Sequence, residues 1–497
     1  SVLNTTTNLI CYSSSKFVPT NSALSGLSYN SNTLTSFEAP VTFTTGTFAS
    51  SFDQKFVLAD VNQDGKSDIF SYSSAGLPQI LKNTATSGIV DANTFASNLS
   101  ISNVSPSTPS SKNVLTADLN NDGKLDFATN FNSLANGGFV NINSSTLANP
   151  SLLTANSLLS TSNQYQVNAS FLPIDINLDG RTDILGLNGT NASQALLYFT
   201  KNTTTGTTFS SVTGNAANTN SFNQKLNNTN YYSGASGDLN GDGKTDVVLS
   251  GTGRVSVLKN TTNQGNPEVK TFSFIESTTK AINAGIGYTV KLADLDLDGK
   301  LDVISTNSTS SFVSVFRNDS DNLNLSIKDA QHFALNGLTA TYGLALADMN
   351  GDGKPDVVVS DNAASSKIAY LENTSVSGAI SFATSVTLFS ATGIAYPQLE
   401  LADIDGDNKP DIIAANNTNG IVVFRNRAAE AGKISADQTI CYNTTPAALT
   451  SLTPAVFSSA GTITYKWQKS TSPNSGWADI ASTNTVGYTI TSALTAT

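Results

Sequence analysis

The sequence predicts an all-β protein: a seven-bladed β-propeller of four-stranded blades with a cation loop in each blade. An N-terminal strand closes the ring, and a smaller β domain follows it. Three observations predict this. One nine-residue acidic pattern recurs seven times at intervals of 58, 57, 63, 56, 54 and 55 residues, which marks a repeat architecture. Each copy sits among short runs rich in Val, Ile, Phe and Tyr, bounded by Gly, Asn and Ser, and such runs read as strands. The last unit lacks a fourth run, while an orphan run, FEAPVTFTT at residues 37–45, precedes the first unit.

Within each unit the runs come in a fixed order. An apolar stretch ends on the first Asp of the pattern, as in KFVLAD to Asp60 and YGLALAD to Asp348. A β-branched run follows, such as TDVVLSG from Thr245 or PDVVVSD from Pro355. The third run ends in a basic or acidic residue plus Asn: QILKNT, YFTKNT, VSVLKNT, VSVFRND, IAYLENT and IVVFRNR. The second unit departs here, with GFVNINSST. A weaker fourth run completes four strands, one propeller blade. Placing residues 37–45 as the outer strand of the last blade closes the ring and removes an open edge.

The nine residues carry Asp at position 1, Asp or Asn at 3, Asp at 5, Gly at 6 and Asp at 9. Side chains at 1, 3 and 5 converge on one side of a tight turn, the carbonyl at 7 adds an oxygen, and Asp at 9 closes the set. Gly at 6 permits the left-handed turn; in the seventh copy Asn408, the next most tolerant residue, takes that place. The candidate ligands in the first copy are Asp60, Asn62, Asp64 and Asp68 with the carbonyl of Lys66, and in the second Asp118, Asn120, Asp122 and Asp126 with that of Lys124. The third and fourth offer Asp175, Asn177, Asp179 and Asp183 with Arg181, and Asp238, Asn240, Asp242 and Asp246 with Lys244. The fifth and sixth offer Asp294, Asp296, Asp298 and Asp302 with Lys300, and Asp348, Asn350, Asp352 and Asp356 with Lys354. The seventh offers Asp403, Asp405, Asp407 and Asp411 with Lys409.

Oxygen-only coordination by five or more atoms favours calcium over zinc or magnesium, so about seven calcium ions are expected. Carboxylates held ~4–5 Å apart repel by roughly 1–4 kcal/mol per pair, and a divalent cation reverses that sign. An isolated copy would also fit a polar hairpin turn. Seven in register, each with Asp at position 9, argue for metal. These loops hold 23 of the 37 acids, so the formal charge of −11 reads as the empty form of a metal-loaded ring.

Composition excludes other classes. An acidic chain with no basic stripe does not bind nucleic acid. No run reaches the ~20 apolar residues of a membrane span, so no membrane insertion by this segment is expected. One histidine, His332, excludes a multi-histidine metal site, and two cysteines, Cys11 and Cys441, exclude a four-cysteine zinc site. The first residue is Ser and the sole methionine is Met349, which fits a trimmed, exported chain.

At the repeats the chain resembles the FG-GAP/VCBS repeat family, over residues 37–427. That resemblance implies a propeller like the integrin α head, with each loop joining the first and second strands of a blade and calcium in a mainly structural role. The tail, with ICYNTTPAALTSLTP, TYKWQKS and GWADIASTNTVGYTI, resembles the immunoglobulin-like modules of large secreted adhesins of gliding Bacteroidetes. Trp467 takes the place of a sandwich's buried Trp, and the module is cut short after Tyr488. The expected organisation is an N-terminal segment at 1–35, the propeller at 36–428, a linker at 429–435 and a partial immunoglobulin-like domain at 436–497, all part of a longer multidomain chain. Two readings of Cys441 stay open: a bridge to Cys11, or a partner beyond Thr497.

The expected function is a calcium-binding extracellular adhesion or ligand-binding module, secreted or on a bacterial cell surface, with a surface glycan or protein as ligand. Inter-blade insertions at 102–113 and 215–230 are candidate binding loops. The alternatives are a polysaccharide lyase or hydrolase on the same ring, or a spacer with no ligand. The metal loops account for nearly every carboxylate cluster, so no acid/base pair is left. Glu268, Asp329, Glu400 and His332 read as solvated, strand-edge or packing residues, and the chain is not expected to be an enzyme. Both Trp residues, Trp467 and Trp477, lie in the tail, so any sugar stacking in the ring would fall to Tyr. Sequons such as Asn98, Asn188, Asn202, Asn260 and Asn373 are chance in so Asn-, Ser- and Thr-rich a chain.

Overall fold

The computed structural model describes residues 2–4, 9–13, 37–44, 56–72, 78–86, 88–96, 99–100, 111–133, 136–145, 157–158, 171–188, 196–205, 211–213, 223–226, 230–262, 274–361, 365–392, 398–416, 420–427, 433–434, 439–441, 448, 451–453, 468–469 and 478–479. Every regular element among them is a β-strand. Residues 39–425 form one compact unit, an all-β propeller in which, among the described residues, five blades have four strands and a sixth has five.

The Asp60 blade pairs Phe56–Ala59, Asp68–Tyr72, Pro78–Leu81 and Leu99–Ser100. The Asp118 blade pairs Ser111–Ala117, Asp126–Ser133, Asn136–Asn141 and Ser157–Leu158. Phe171–Ile174, Asp183–Asn188, Leu196–Asn202 and Ser211–Thr213 make the Asp175 blade, with Asn223–Lys225 also pairing to its third strand. The Asp294 blade runs Val290–Ala293, Asp302–Ser305, Phe312–Phe316 and Gln331–Ala334; the Asp348 blade runs Leu344–Ala347, Asp356–Ser360, Ser365–Leu371 and Val386–Thr392. In the Asp403 blade Leu399–Ala402, Asp411–Asn416 and Gly420–Phe424 are joined by Val41–Thr44, inside the run that the sequence places as the closing strand.

The expected count of seven four-stranded blades is corrected: among the described residues six units have four strands or more. The Asp238 unit is a three-stranded sheet of Tyr231–Gly237, Asp246–Asn260 and Phe274–Ile286. The runs expected as its second and third strands are separated only by Thr252, Gly253 and Arg254. Thr252 and Arg254 themselves pair with Ile286 and Ala281, so residues 246–260 are in strand pairing with no unpaired loop between the two runs.

Antiparallel blades stand face to face, so their middle strands are buried on both sides. This explains the unbroken apolar runs, such as Asp356–Ser360 and Gly420–Phe424, every residue of which is buried. The apolar clusters lie between neighbouring units. Leu295, Ile304 and Val315 pack with Leu344, Val357 and Val359, and Phe56, Ile69 and Leu81 pack with Ile404, Ile413 and Val423. Each such side chain contributes roughly 1.5–3 kcal/mol on burial. The innermost strands neighbour one another in sequence order, and Leu399–Ala402 returns to Phe56–Ala59. At that junction Gln398 donates to the Phe56 carbonyl at 2.8 Å and accepts from its N–H at 3.3 Å.

Residues 1–38 and 426–497 make up the second unit. In it Val2–Asn4, Leu9–Ser13 and Thr439–Cys441 form a sheet in which Cys11 lies directly opposite Cys441. This register meets the backbone requirement for a bridge; their side chains lie outside the described residues. Short pairs join Lys433–Ile434 to Ser451–Thr453 and Gln468–Lys469 to Ala478–Asp479. Trp467, Trp477, Glu268, residues 102–110 and most of 215–230 lie outside the described residues.

Candidate metal centres

All seven acidic loops share one backbone. Position 6 has positive φ in every copy, from Gly65 at 84° to Asn408 at 65°. Position 4 does too, at Gln63, Asn121, Leu178, Gly241, Leu297, Gly351 and Gly406, of which only the Gly and Asn copies signal it in sequence. A left-handed non-glycine residue costs about 1–2 kcal/mol. Leu297, at φ 56° and 53% exposed, has little packing to lose. Leu297→Gly is therefore expected to stabilise the protein by about 0.5–1 kcal/mol, read as a rise in denaturant midpoint. A fall would show that the loop needs this side chain.

The first Asp organises the turn. Its Oδ1 accepts from the position 5 N–H, and its Oδ2 accepts from the position 6 N–H at 2.7–2.8 Å, in all seven copies. Oδ1 of the position 5 Asp accepts from the position 7 N–H. These bonds curl the loop around its own carboxylates. Oxygens of Asp294, Asp296 and Asp298 come within 4.8 Å of one another, as do those of Asp403, Asp405 and Asp411.

Two observations fit this donor set to a hard cation. Oδ1 of Asn240 and Oδ1 of Asp296, both at position 3, are buried without a hydrogen-bond partner. Lys66 and Lys124 send their ammonium groups away from the loop to the carbonyls of Ala85 and Ser145, at 2.7 and 2.6 Å.

The Asp at position 9 is fully buried in every copy and lies deeper than the others. Its Oδ2 accepts from the position 2 N–H in all seven loops. In six loops its Oδ1 accepts from the N–H of an Asn ending the third run: Asn83, Asn143, Asn202, Asn260, Asn318 or Asn373. Burial pushes the carboxyls of Asp68, Asp126, Asp246 and Asp302 up to about 6 and those of Asp183 and Asp356 up to about 7; neighbouring loop acids add to the rise, and the N–H donors oppose it.

Those Asn side chains do a second job that sequence reasoning missed. Each Nδ2 donates to the position 2 carbonyl of the preceding unit: Asn143 to Val61, Asn202 to Leu119, Asn260 to Ile176, Asn318 to Leu239 and Asn373 to Leu295. Asn83 reaches Ile404, closing the circuit. The recurring Asn was visible in the sequence, but its partner was not.

The off-loop residues are engaged elsewhere. Asp329 pairs with Lys280 at 2.8 Å, and Glu400 lies 3.7 Å from Lys291. His332 sits between Ser314 and Asn283, each at 3.0 Å, against the Phe312 ring, and burial holds its pKa down. The first strands enclose a cavity of about 390 Å³ lined by Lys291, Glu400, Gln398, Tyr232 and Tyr288 among others. Tyr232, Tyr288 and Tyr342 each lie six residues before the first loop Asp, roughly 20 Å from the acidic loops. Tyr288 stacks on Tyr342 at 4.7 Å and meets Tyr232 edge-on at 5.4 Å.

Fold and loops together define a repeat propeller built around acidic turns. The FG-GAP-like repeat model matches residues 60–129, 175–249, 238–305 and 294–359, more than half of the sequence, and the chain belongs to that family. Residues 430–497 match a domain of unknown function (DUF8696). Comparison with curated proteins finds no match. Similar solved structures include BBS1N in complex with ARL6DN soaked with lead, at TM-score 0.45 and 9% identity, covering 79% of this chain and 97% of that one. Another is an Agrocybe aegerita lectin described for recognition of non-reducing terminal N-acetylglucosamine, at TM-score 0.41 and 19% identity, covering 67% and 80%.

Proposed function

We propose that this chain is a calcium-binding extracellular module that presents a ligand-binding face on a rigid propeller and belongs to a larger secreted or cell-surface protein. The observation that carries the calcium part is the common loop geometry: seven turns gather oxygen donors alone, and buried position 3 oxygens at Asn240 and Asp296 await a partner. About seven ions per chain are expected in equilibrium dialysis against millimolar calcium; a chain that retains none refutes the assignment. When bound, calcium supplies positive charge that offsets the carboxylate repulsion; the loop residues supply its shape.

The three-stranded sheet takes the remaining place in the ring as a seventh blade. A straight strand of 15 residues would hold its ends ~45–50 Å apart, whereas the Asn260 N–H donates to Asp246 Oδ1 at 2.8 Å. The strand therefore doubles back near Gly253, whose φ is 69°. The tail reads as a partial immunoglobulin-like domain.

For the ligand, the supporting feature is the tyrosine cluster beside the cavity between the first strands, which offers aromatic edges and hydroxyls far from the acidic loops. A glycan is the reading this chemistry favours. Tyr288→Ala is expected to weaken binding to a glycan array at least about tenfold with the melting midpoint little changed. Binding by the wild type with full retention in the variant would move the ligand elsewhere. Turnover in a reducing-end or unsaturated-product assay would favour an enzyme.

A further inference from the structure

The residue just before each third-run Asn differs with the residue at position 3: arginine occurs there only where position 3 is Asp. Where position 3 is Asn, the residue is Lys82, Ile142, Lys201, Lys259 or Glu372. Where position 3 is Asp, at Asp296 and Asp405, it is Arg317 or Arg425.

The geometry differs as well. The lysines approach the position 5 carboxylate: Lys82 to Asp64 at 3.6 Å, Lys201 to Asp179 at 3.9 Å and Lys259 to Asp242 at 3.5 Å. Each arginine bridges positions 3 and 5. Arg317 donates from Nε to Asp296 Oδ2 at 2.8 Å and from a terminal nitrogen to Asp298 Oδ2 at 2.7 Å. Arg425 donates from Nε to Asp405 Oδ2 and from a terminal nitrogen to Asp407 Oδ2 at 2.8 Å, with 5% of its side chain exposed. A planar guanidinium fixes two oxygens at set separation and cannot lose its charge. Gly378 of the next blade adds a third donor to Asp296 Oδ2 at 2.9 Å. These donors hold Oδ2 and leave Asp296 Oδ1 buried and unpartnered among the loop oxygens.

The Asp348 loop is the opposite case. Glu372, 8% exposed, stands where the other two loops carry Arg317 and Arg425, directly before Asn373, whose N–H donates to Asp356 Oδ1 at 2.7 Å. Glu372 thus adds a fourth carboxyl group to the three Asp of this loop, at the place where the other two loops carry a guanidinium. The Asp294 and Asp403 loops each have four Asp, two of them clamped by one guanidinium, and Arg317 also reaches Asp319 at 3.3 Å.

Building on the calcium reading, we propose that Arg317 and Arg425 are resident counter-charges that hold the Asp294 and Asp403 loops in ligating shape without a cation, whereas the Asp348 loop, opposed by Glu372, depends on the cation for its shape. The ring is thus graded in its cation dependence: two loops keep their form when calcium is withdrawn, and one opens first.

The test is hydrogen exchange by mass spectrometry on the full chain, in millimolar calcium and in excess chelator. On chelation, amides of residues 348–356 are expected to exchange at least about tenfold faster, and those of 294–302 and 403–411 less than about threefold faster. Equal acceleration in the three loops would overturn the proposal while leaving the calcium reading standing. No change in any loop would overturn both. Arg317→Met is expected to make the Asp294 loop chelator-sensitive, with the Asp403 loop of the same molecule as the unaltered reference. Glu372→Lys, which installs the residue found at positions 82, 201 and 259, is expected to protect the Asp348 loop against chelation. If Glu372→Lys leaves that loop as sensitive as before, the assigned role of Glu372 is wrong.

Discussion

Chelating calcium is expected to lower the melting midpoint by about 3 °C for every loop emptied. A site saturated a hundredfold above its dissociation constant contributes about 2.7 kcal/mol to the folded state, and for a unit of this size that is roughly 3 °C. Four emptied loops would therefore shift the midpoint by more than about 10 °C. The size of the shift depends on pH in a direction set by the position 9 carboxyls. Asp68, Asp126, Asp246 and Asp302 titrate near 6 in the folded chain, and Asp183 and Asp356 near 7, all above the ordinary carboxylate value. A folded-state pKa that is raised means the folded chain holds the proton better. Its contribution is complete below about pH 4 and is lost as pH rises through 6 to 7. The chelated chain is thus expected to melt higher at pH 5 than at pH 8, while calcium, which needs ionised ligands, stabilises more at pH 8. Calorimetry at both pH values with and without chelator checks this; a calcium-induced shift as large at pH 5 as at pH 8 would contradict the burial of these groups.

Asn318→Leu is expected to destabilise the propeller by about 3–5 kcal/mol, an unusually large cost for one side chain of similar volume. Asn318 is fully buried. Its Nδ2 donates to the carbonyls of Leu239 at 2.7 Å and Leu301 at 3.0 Å, and its Oδ1 accepts from the Ser320 N–H at 2.9 Å. Leucine fills the space but leaves two carbonyls and one N–H buried without partners, at about 1–3 kcal/mol each. Because one of those carbonyls belongs to the preceding unit, the loss should also loosen the junction between the Asp238 and Asp294 units. Denaturant unfolding measures the cost, and a change below about 1 kcal/mol would mean that water reaches these groups.

Much of the architecture was legible because it repeats. The spacing of the acidic pattern gave the units, the β-branched runs gave their strands, and the missing fourth run of the last unit pointed to residues 37–45, where Val41–Thr44 does pair with Gly420–Phe424. Asn408 at position 6 follows the same logic and takes the left-handed conformation. The Asp238 unit was less legible, since Thr252 and Arg254 look like turn residues yet remain in the ladder.

The sequence by itself determined which atoms meet within a loop. Positions 1, 5, 6, 7 and 9 lie within nine residues, so local backbone geometry is enough to join them. Only the tertiary structure decided what each loop is fastened to. The Asn latches reach carbonyls 78 to 84 residues away, and the closing one spans 321. Arg317 and Arg425 lie 21 and 20 residues from the position 3 carboxylates they grip. No local pattern encodes those pairings; they follow from stacking one blade on the next, which buries the latch and the position 9 carboxyl together and leaves each buried polar group to be satisfied by its neighbour.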